Sequence, residues 1–339
     1  MASISLPGAA PKNATPFLLR FREVGILVFL ILLVVAVTLR SPVFLSAGNL
    51  RSVLLDIPLI VVVAMGMTTI ILSRNIDLSV GSTLGLCAVI VGFLFKNNPG
   101  FPLWMAGLVG IGAGALLGAV NGTLVAWLRV PAIIATLGTL SVYRGLIFIW
   151  SGGATVERSD LPDALIAMSQ TSPLIVPWIV ILALVVTAMM HFFLRFSRVG
   201  RSLYAIGSNP VAARLRGIAV DRVVFLSFVL TGALAGLAGV MYASRFGFVY
   251  PAKTGVGFEL SVIAATIIGG TSILGGSGSV TGTVLGCLLL GVIENALDVA
   301  RLSAFWQSAI YGAIILLAVA TDSSIRRGLE KAAAQRGGR

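Results

Sequence analysis

The chain has 339 residues, of which 58% are hydrophobic and only 11% are charged, with a mean hydropathy of +1.04 and a formal net charge of +12. This small number of polar side chains cannot cover the apolar atoms of a water-soluble domain. The composition therefore indicates that much of the hydrophobic surface faces lipid. The positive charge does not indicate binding to nucleic acid, because the basic residues lie in short loops between apolar segments.

Ten apolar segments follow one another along the chain, separated by charged residues or by clusters of proline and glycine. A membrane-spanning helix needs about 20 apolar residues. The third and eighth segments are short and interrupted by glycine, so they could be tilted, broken or re-entrant. The fold class that follows is an all-α polytopic membrane protein with about ten transmembrane helices. We predict the spans at roughly 22–39, 53–73, 80–95, 103–127, 131–151, 173–194, 223–243, 260–274, 280–298 and 304–321.

The basic residues predict the orientation of these helices, because cytoplasmic loops are enriched in Lys and Arg. With the N-terminus inside, 16 of the 24 Lys and Arg residues fall in cytoplasmic segments, 7 fall in outer segments, and Arg144 lies within a span. Both termini are therefore predicted to be cytoplasmic. The domain boundaries are a cytoplasmic tail at 1–23, a transmembrane domain at 24–321 that includes an inner loop at 195–222, and a basic cytoplasmic tail at 322–339.

Glycines spaced four residues apart predict tight packing between helices, since small residues on one face let two backbones approach closely. Three sets have this spacing. They are Gly114, Gly118 and Gly122; Gly232 and Gly236; and Gly278, Gly282 and Gly286.

Two short sequence matches indicate an internal repeat. The segment DLSV (77–80) is similar to ELSV (259–262), and GALLG (114–118) is similar to GTVLG (282–286). The matches pair span 3 with span 8 and span 4 with span 9. An offset of five spans gives the two halves, spans 2–5 and 7–10, opposite orientations in the membrane. Inverted repeats of this kind are common in transporters, whose binding sites lie where the halves meet.

Polar side chains within the predicted spans are candidates for a pathway, because a polar group in lipid usually faces a cavity or a partner. A structural role is the alternative at each position: Arg144 could pair with Glu294, and Asp77 could cap a helix. The sequence predicts no metal site. The pathway candidates are Asn75, Asp77, Ser79, Asn121, Arg144, Glu259, Glu294 and Asn295.

The inner loop contains the signals of a short helix. Ser208 or Asn209 can cap it, Pro210 suits its first position, and Gly217 can end it in a left-handed conformation. About two turns are too short to be stable alone, so flanking spans or a partner must hold this helix. Its apolar residues favour a docking surface over a loop that only sets topology. No GxxxxGK[ST] motif occurs in the sequence, so the chain is not predicted to hydrolyse ATP through a P-loop.

Four segments resemble the permease subunits of carbohydrate-uptake ABC transporters. These transporters form the ribose, xylose, rhamnose and autoinducer-2 group of the branched-chain-amino-acid-like permease superfamily, and the resemblance extends from about residue 20 to 325. The rhamnose and autoinducer-2 branches are favoured by the exact sequences of two segments, RNIDLSVGS (74–82) and LRVPAIIATLGTLSVYRG (128–145). The four segments are NIDLSVGS (75–82), NGTLVAWLRVPAIIATLGTLSVYRG (121–145), SRVGRSLYAIGSNPVAARLRGIAVDRV (197–223) and GGTSILGGSGSVTGTVLG (269–286).

The resemblance implies a non-enzymatic transport subunit in a bacterial inner membrane. It implies a second permease, as a homodimer or heterodimer, and a periplasmic substrate-binding protein. It also implies a separate ATP-binding subunit that uses ATP and Mg²⁺ and docks on the short helix, whereas this chain itself would bind no cofactor. The docking role carries over to Asn209, Pro210, Ala213, Arg214 and Gly217.

The expected function is ATP-driven import of a sugar or a sugar-like molecule from periplasm to cytoplasm by alternating access. Three alternatives remain open at this point. The cargo could be a branched-chain amino acid, the chain could be a stand-alone secondary transporter or channel, or it could be a membrane scaffold or sensor that transports nothing.

Overall fold

The computed structural model describes residues 15–170, 176–301, 303, 305–317 and 320. These residues are mainly helical, and within them β-structure is confined to one isolated bridge between Val156 and Val249. The predicted all-α class is therefore confirmed. The helices are α1 Thr15–Arg40, α2 Ala47–Leu72, α3 Val80–Asn97, α4 Leu103–Gly122, α5 Ala132–Ser151, α6 Asp163–Gln170, α7 Trp178–Phe196, α8 Arg198–Ser208, α9 Pro210–Leu215, α10 Val220–Phe246, α11 Phe258–Ile268, α12 Val280–Val299 and α13 Phe305–Leu317.

Eight helices in the described part of the chain are long and apolar enough to cross a membrane: α1, α2, α3, α4, α5, α7, α10 and α12. The shorter apolar helices α11 and α13 lie at the remaining two predicted spans. Most residues of the predicted tails at 1–23 and 322–339 lie outside the described residues. Those from Thr15 onward already belong to α1.

Helix α11 is the broken member of the set. Its 11 residues extend about 16 Å, roughly half of the 30 Å hydrocarbon core. The predicted span 260–274 therefore overestimates this helix, which ends at Ile268. Three glycines after it, Gly270, Gly275 and Gly276, have positive φ angles that no helix accommodates. Helix α3, predicted to be short as well, is an uninterrupted helix of 18 residues.

Helix α2 is the central helix of the bundle. Every residue from Ile57 to Leu72 is buried, as expected for a helix that is apolar on all faces. Pro58 lies within this run, where it removes one helical hydrogen bond. By contrast, the apolar part of α1 is almost entirely unburied, so α1 lies at the edge of the protein.

The predicted glycine faces meet where α4 crosses α10. A Cβ atom placed on Gly114 would lie 2.1 Å from the carbonyl oxygen of Gly232, and one placed on Gly118 would lie 2.2 Å from that of Phe228. On the α10 side, a Cβ on Gly236 would lie 2.1 Å from the carbonyl oxygen of Gly110. The two backbones therefore touch, and a side chain at these positions would separate the helices.

The contacts between helices follow the order expected for two inverted halves. If spans 2–5 correspond to spans 7–10, then α2 corresponds to α10, α3 to α11, and α4 to α12. Both α3 and α4 pack on α10, and their counterparts α11 and α12 both pack on α2. Helices α2 and α10 also pack on each other, so the halves meet along these two helices.

The loops that connect successive spans lie alternately at two ends of the bundle, as expected if each span crosses the membrane once. At the predicted outer end, Arg51 donates to Gln170 O at 2.9 Å and Lys96 pairs with Asp160 at 3.0 Å. The backbone N–H of Glu157 and the Lys96 ammonium hold the pKa of Asp160 below its usual range. At the predicted inner end, the connection between α11 and α12 contacts the end of α2. Which of these ends faces the cytoplasm stays a prediction.

Replacing Gly114 by Ala should destabilise the bundle, because the added methyl group meets the α10 backbone. We expect a loss of about 1–3 kcal/mol, the usual cost of overpacking. Thermal unfolding in detergent measures it. Gly112→Ala is the matched control in the same helix, since a Cβ there has no atom within 4 Å. Equal unfolding temperatures for the two variants would contradict the packing described here.

Candidate functional site

A cavity of about 370 Å³ lies between α2, α10, α11, α12 and α13. Its wall combines carboxylates, amides, phenolic hydroxyls and aromatic rings. Such a surface suits a small, hydroxyl-rich ligand that needs both hydrogen bonds and stacking. The polar and aromatic groups in the wall include Asp56, Tyr242, Phe258, Glu294, Asn295 and Tyr311.

Two of the predicted pathway residues, Glu294 and Asn295, line this cavity from α12. The Tyr311 hydroxyl donates a hydrogen bond to Glu294 Oε1. Asn295 and Asn49 exchange two hydrogen bonds between their side-chain amides, at 2.7 and 2.9 Å. Both residues are held in place, and each is partly exposed.

Asp56 lines the cavity from α2, although it was not a predicted pathway residue. Arg245 donates to both carboxylate oxygens of Asp56, at 2.8 and 3.3 Å, and so ties α10 to α2. The sequence did contain a signal for Asp56, because it is an acidic residue inside the second predicted span. Tyr242 and Tyr311 gave no comparable signal, since hydropathy does not distinguish a cavity-facing tyrosine from one at the membrane interface.

Three other pathway candidates form a closed cluster at the start of α3. Asp77 Oδ1 accepts from the Ser79 backbone N–H at 2.8 Å and from the Ser79 hydroxyl at 2.7 Å. Asn121 of α4 donates to Ser79 Oγ at 2.7 Å. All three residues are at most 2% exposed. The cluster satisfies its own hydrogen bonds and does not line the cavity, so its geometry favours the structural alternative.

The remaining candidates lie in neither group. Asn75 bonds locally to Ser73 at the end of α2, with donor–acceptor distances of 3.0 and 3.2 Å. Arg144 donates to Thr254 O at 2.8 Å, and its charge attracts that of Glu259 in α11. Glu294, the carboxylate suggested as the partner of Arg144, instead accepts from Tyr311.

A larger and more open cleft of about 620 Å³ lies at the predicted outer end. Three arginines line it: Arg51, Arg158 and Arg245. None of the predicted pathway residues contributes to its wall, so the cavity that contains Glu294 is the better candidate for the route of a ligand.

The inner loop forms two helices, of which the sequence predicted one. Helix α9 has the predicted signals: Asn209 accepts from the Val211 and Ala212 N–H groups at 3.0 Å, Pro210 is the first residue, and Gly217 has a φ of +80°. The structure therefore assigns the cap to Asn209 and not to Ser208.

Helix α8 was missed in the sequence, although it has an N-cap signal in Ser197. The Ser197 hydroxyl accepts from the Gly200 N–H at 2.8 Å. Gly200, Leu203, Ile206 and Gly207 are buried, and this spacing of three or four residues is that of an amphipathic helix. The sequence therefore contained an amphipathic pattern, which was missed because this segment was predicted to be part of a loop.

Helix α9 presents apolar side chains outward. Leu215 is 85% exposed and Val211 is 69% exposed. Ala213 is buried beneath them, and Arg214 pairs with Asp221 of α10 at 2.6 Å, which connects the helix to α10. Two strongly exposed apolar residues on one short surface helix are compatible with a contact to a partner.

Comparison with known proteins gives consistent matches over nearly the whole chain. The sequence profile of the family described as "Branched-chain amino acid transport system / permease component" matches residues 49–319. The Autoinducer 2 import system permease protein LsrC of Escherichia coli (strain K12 / DH10B) is 40% identical over 93% of this chain and 91% of that protein. The protein of the same name from Salmonella typhi is 38% identical over 93% of this chain and 89% of that protein. No solved structure matches the chain.

Replacing Asn121 by Ala should lower stability without changing the ligand preference of the protein. The change removes the donor to Ser79 and leaves buried polar groups unpaired, which costs about 1–3 kcal/mol. Thermal unfolding in detergent gives the size of the effect. Asn98→Ala is the control, because Asn98 is exposed and its side chain donates only to Leu94 O, in the last turn of α3. A stable Asn121→Ala protein with altered ligand selectivity would place the cluster in the pathway.

Proposed function

This chain belongs to the family of branched-chain amino acid transport system permease components, and on that premise we propose that it is the transmembrane subunit of an ATP-driven importer. The proposed cargo is a sugar-like small molecule, of the autoinducer-2 or rhamnose type. The main support is the similarity of 38–40% to proteins named as autoinducer 2 import permeases, which extends over 93% of the chain.

The chemistry of the cavity is compatible with such a cargo. Hydroxyl groups can donate to the carboxylates of Glu294 and Asp56 and accept from the amide of Asn295. The rings of Tyr242 and Phe258 offer apolar faces for the carbon skeleton. These contacts need only be transient, because a transporter must release what it binds.

The proposed power source is a separate ATP-binding subunit, which holds ATP and Mg²⁺ and docks on α9. When that subunit closes on ATP, α9 moves with it and the bundle changes which side of the cavity is open. A second permease copy completes the pathway, and a periplasmic binding protein delivers the cargo. In this arrangement the chain lies in the bacterial inner membrane, with both termini in the cytoplasm.

A branched-chain amino acid is the second candidate cargo, because the description of the matching family names it. A zwitterionic amino acid needs an anionic and a cationic partner at once. The cavity offers carboxylates together with Lys253, so its wall alone does not decide between the two cargoes. Uptake measurements distinguish them directly.

Proteoliposomes that contain this chain, its ATP-binding subunit and its binding protein should import labelled autoinducer-2 when ATP is present. Excess leucine should not compete. Glu294→Gln should reduce uptake about tenfold, the effect of weakening one hydrogen bond to a charged group. Glu157→Gln is the control, because Glu157 is exposed and is not part of the cavity wall. Competition by leucine, or uptake driven by an ion gradient without ATP, would contradict the proposal.

Leu215→Asp should abolish co-purification of the ATP-binding subunit while leaving the fold intact, since Leu215 is 85% exposed. Loss of a central apolar contact at an interface costs about 2 kcal/mol or more. Leu215→Met keeps the apolar contact and should bind like the wild type. Pull-down from detergent measures binding, and thermal unfolding confirms that both variants are folded. Normal binding by Leu215→Asp would remove α9 from the docking surface.

A further inference from the structure

Three turns of the chain meet at the predicted inner end, beside the joint between α8 and α9. The N–H of Gly276, between α11 and α12, donates to Leu72 O at the end of α2 at 3.0 Å. A Cβ placed on Gly207, near the end of α8, would lie 1.9 Å from Leu72 O and 2.2 Å from Gly276 N. The backbones of α2, α8 and the α11–α12 connection are therefore in direct contact.

One side chain fastens this contact. Arg74 Nε donates to Gly207 O at 2.5 Å, and Arg74 Nη2 donates to Ser208 O at 2.9 Å. The last carbonyls of a helix lack partners within the helix and carry the negative end of its dipole, so a guanidinium suits them. Arg74 itself has a φ of +67°, in the left-handed region that residues other than glycine rarely adopt. We call these two hydrogen bonds the Arg74 clamp.

The Arg74 clamp lies between the docking helix and the interior of the bundle. Ser208 directly precedes Asn209, which caps α9. On the other side, Arg74 follows the end of α2 and precedes Asp77 by three residues. Helix α2 continues from the clamp to Asp56 in the wall of the cavity. A displacement of α9 thus has a short path of hydrogen bonds into the helix that lines the candidate pathway.

We propose that Arg74 is a positioning residue that transmits the movement of α9 to α2 and to the α2–α3 connection. The inference rests on the proposed function, because it requires an ATP-binding subunit that moves α9. Without the Arg74 side chain, α9 still binds the ATP-binding subunit, but the movement of α9 is no longer transmitted to the cavity. The contact of Gly276 with Leu72 extends the same linkage to α11 and α12, so both halves of the bundle respond together.

The test compares Arg74→Ala with the wild type in proteoliposomes that contain the complete transporter. We expect the ATP-binding subunit to co-purify as before, while uptake per ATP hydrolysed falls at least about tenfold. The change removes both hydrogen bonds of the Arg74 clamp, and the loss of one charge-assisted hydrogen bond already accounts for about a factor of ten. Arg129→Ala is the matched control. Arg129 also has a positive φ, of +56°, lies in the connection after α4 at the same end, and has no side-chain hydrogen bond or ion pair to another described residue. In Arg129→Ala, the ratio of uptake to ATP hydrolysis should not change.

The ratio separates this role from a purely structural one, which would lower binding, ATP hydrolysis and uptake together. An unchanged ratio in Arg74→Ala overturns the proposal for Arg74. A wild-type protein that neither binds the subunit nor imports with ATP overturns the proposed function instead. If Arg74→Ala fails to accumulate, Arg74→Met decides, because methionine keeps most of the length of the side chain but has no hydrogen-bond donor. A normal ratio in that variant also overturns the proposal.

Discussion

The backbone contact between α4 and α10 is the interaction on which the rest of the bundle depends. Apolar side chains gain little by leaving lipid for another apolar surface, so helices in a membrane associate mainly through close packing. The glycines at 110, 114 and 118 meet those at 232 and 236 without intervening side chains. This approach places α10 where it can also pack on α2 and α3. Since α2 and α10 join the two halves, the position of the cavity between them depends on that contact.

The same bundle tolerates irregular backbone near its centre, which lipid would not permit. Unpaired peptide groups are costly in a membrane unless the protein or a water-filled cavity satisfies them. The stretch before α11 meets this requirement through Arg144, which donates to Thr254 O, and through turn hydrogen bonds such as the one from the Thr254 N–H to Tyr250 O at 2.9 Å. The stretch before α3 meets it through Asp77 and Ser79. The stretches at the start of α3 and before α11 adjoin each other where Gly81 meets Gly255, as the inverted repeat requires.

The sequence predicted where the helices lie along the chain better than it predicted which side of each helix faces the cavity. The spans, the tight glycine contacts and the cap of α9 follow from local composition, so they could be recognised without a structure. The length of α11 was predicted only in part. The eighth segment is short and interrupted by glycine, but glycines also occur in continuous membrane helices, so the end of α11 at Ile268 did not follow from the sequence. The cavity wall was only partly predicted, since the rotation of each helix depends on packing. Glu294 and Asn295 were candidates for being polar in an apolar segment, but so was Asp77, which faces a closed cluster.

The cavity and the exposed face of α9 have no residue in common, and α2 extends between their two ends of the bundle. Substitutions in one region therefore need not disturb the other. In a lineage of such proteins, a few substitutions in the cavity wall could change which ligand binds there. The exposed face of α9, at the other end of the bundle, could stay the same. Under the proposed function, the cargo could then change while the ATP-binding subunit stayed the same, and closely similar chains could serve chemically different ligands.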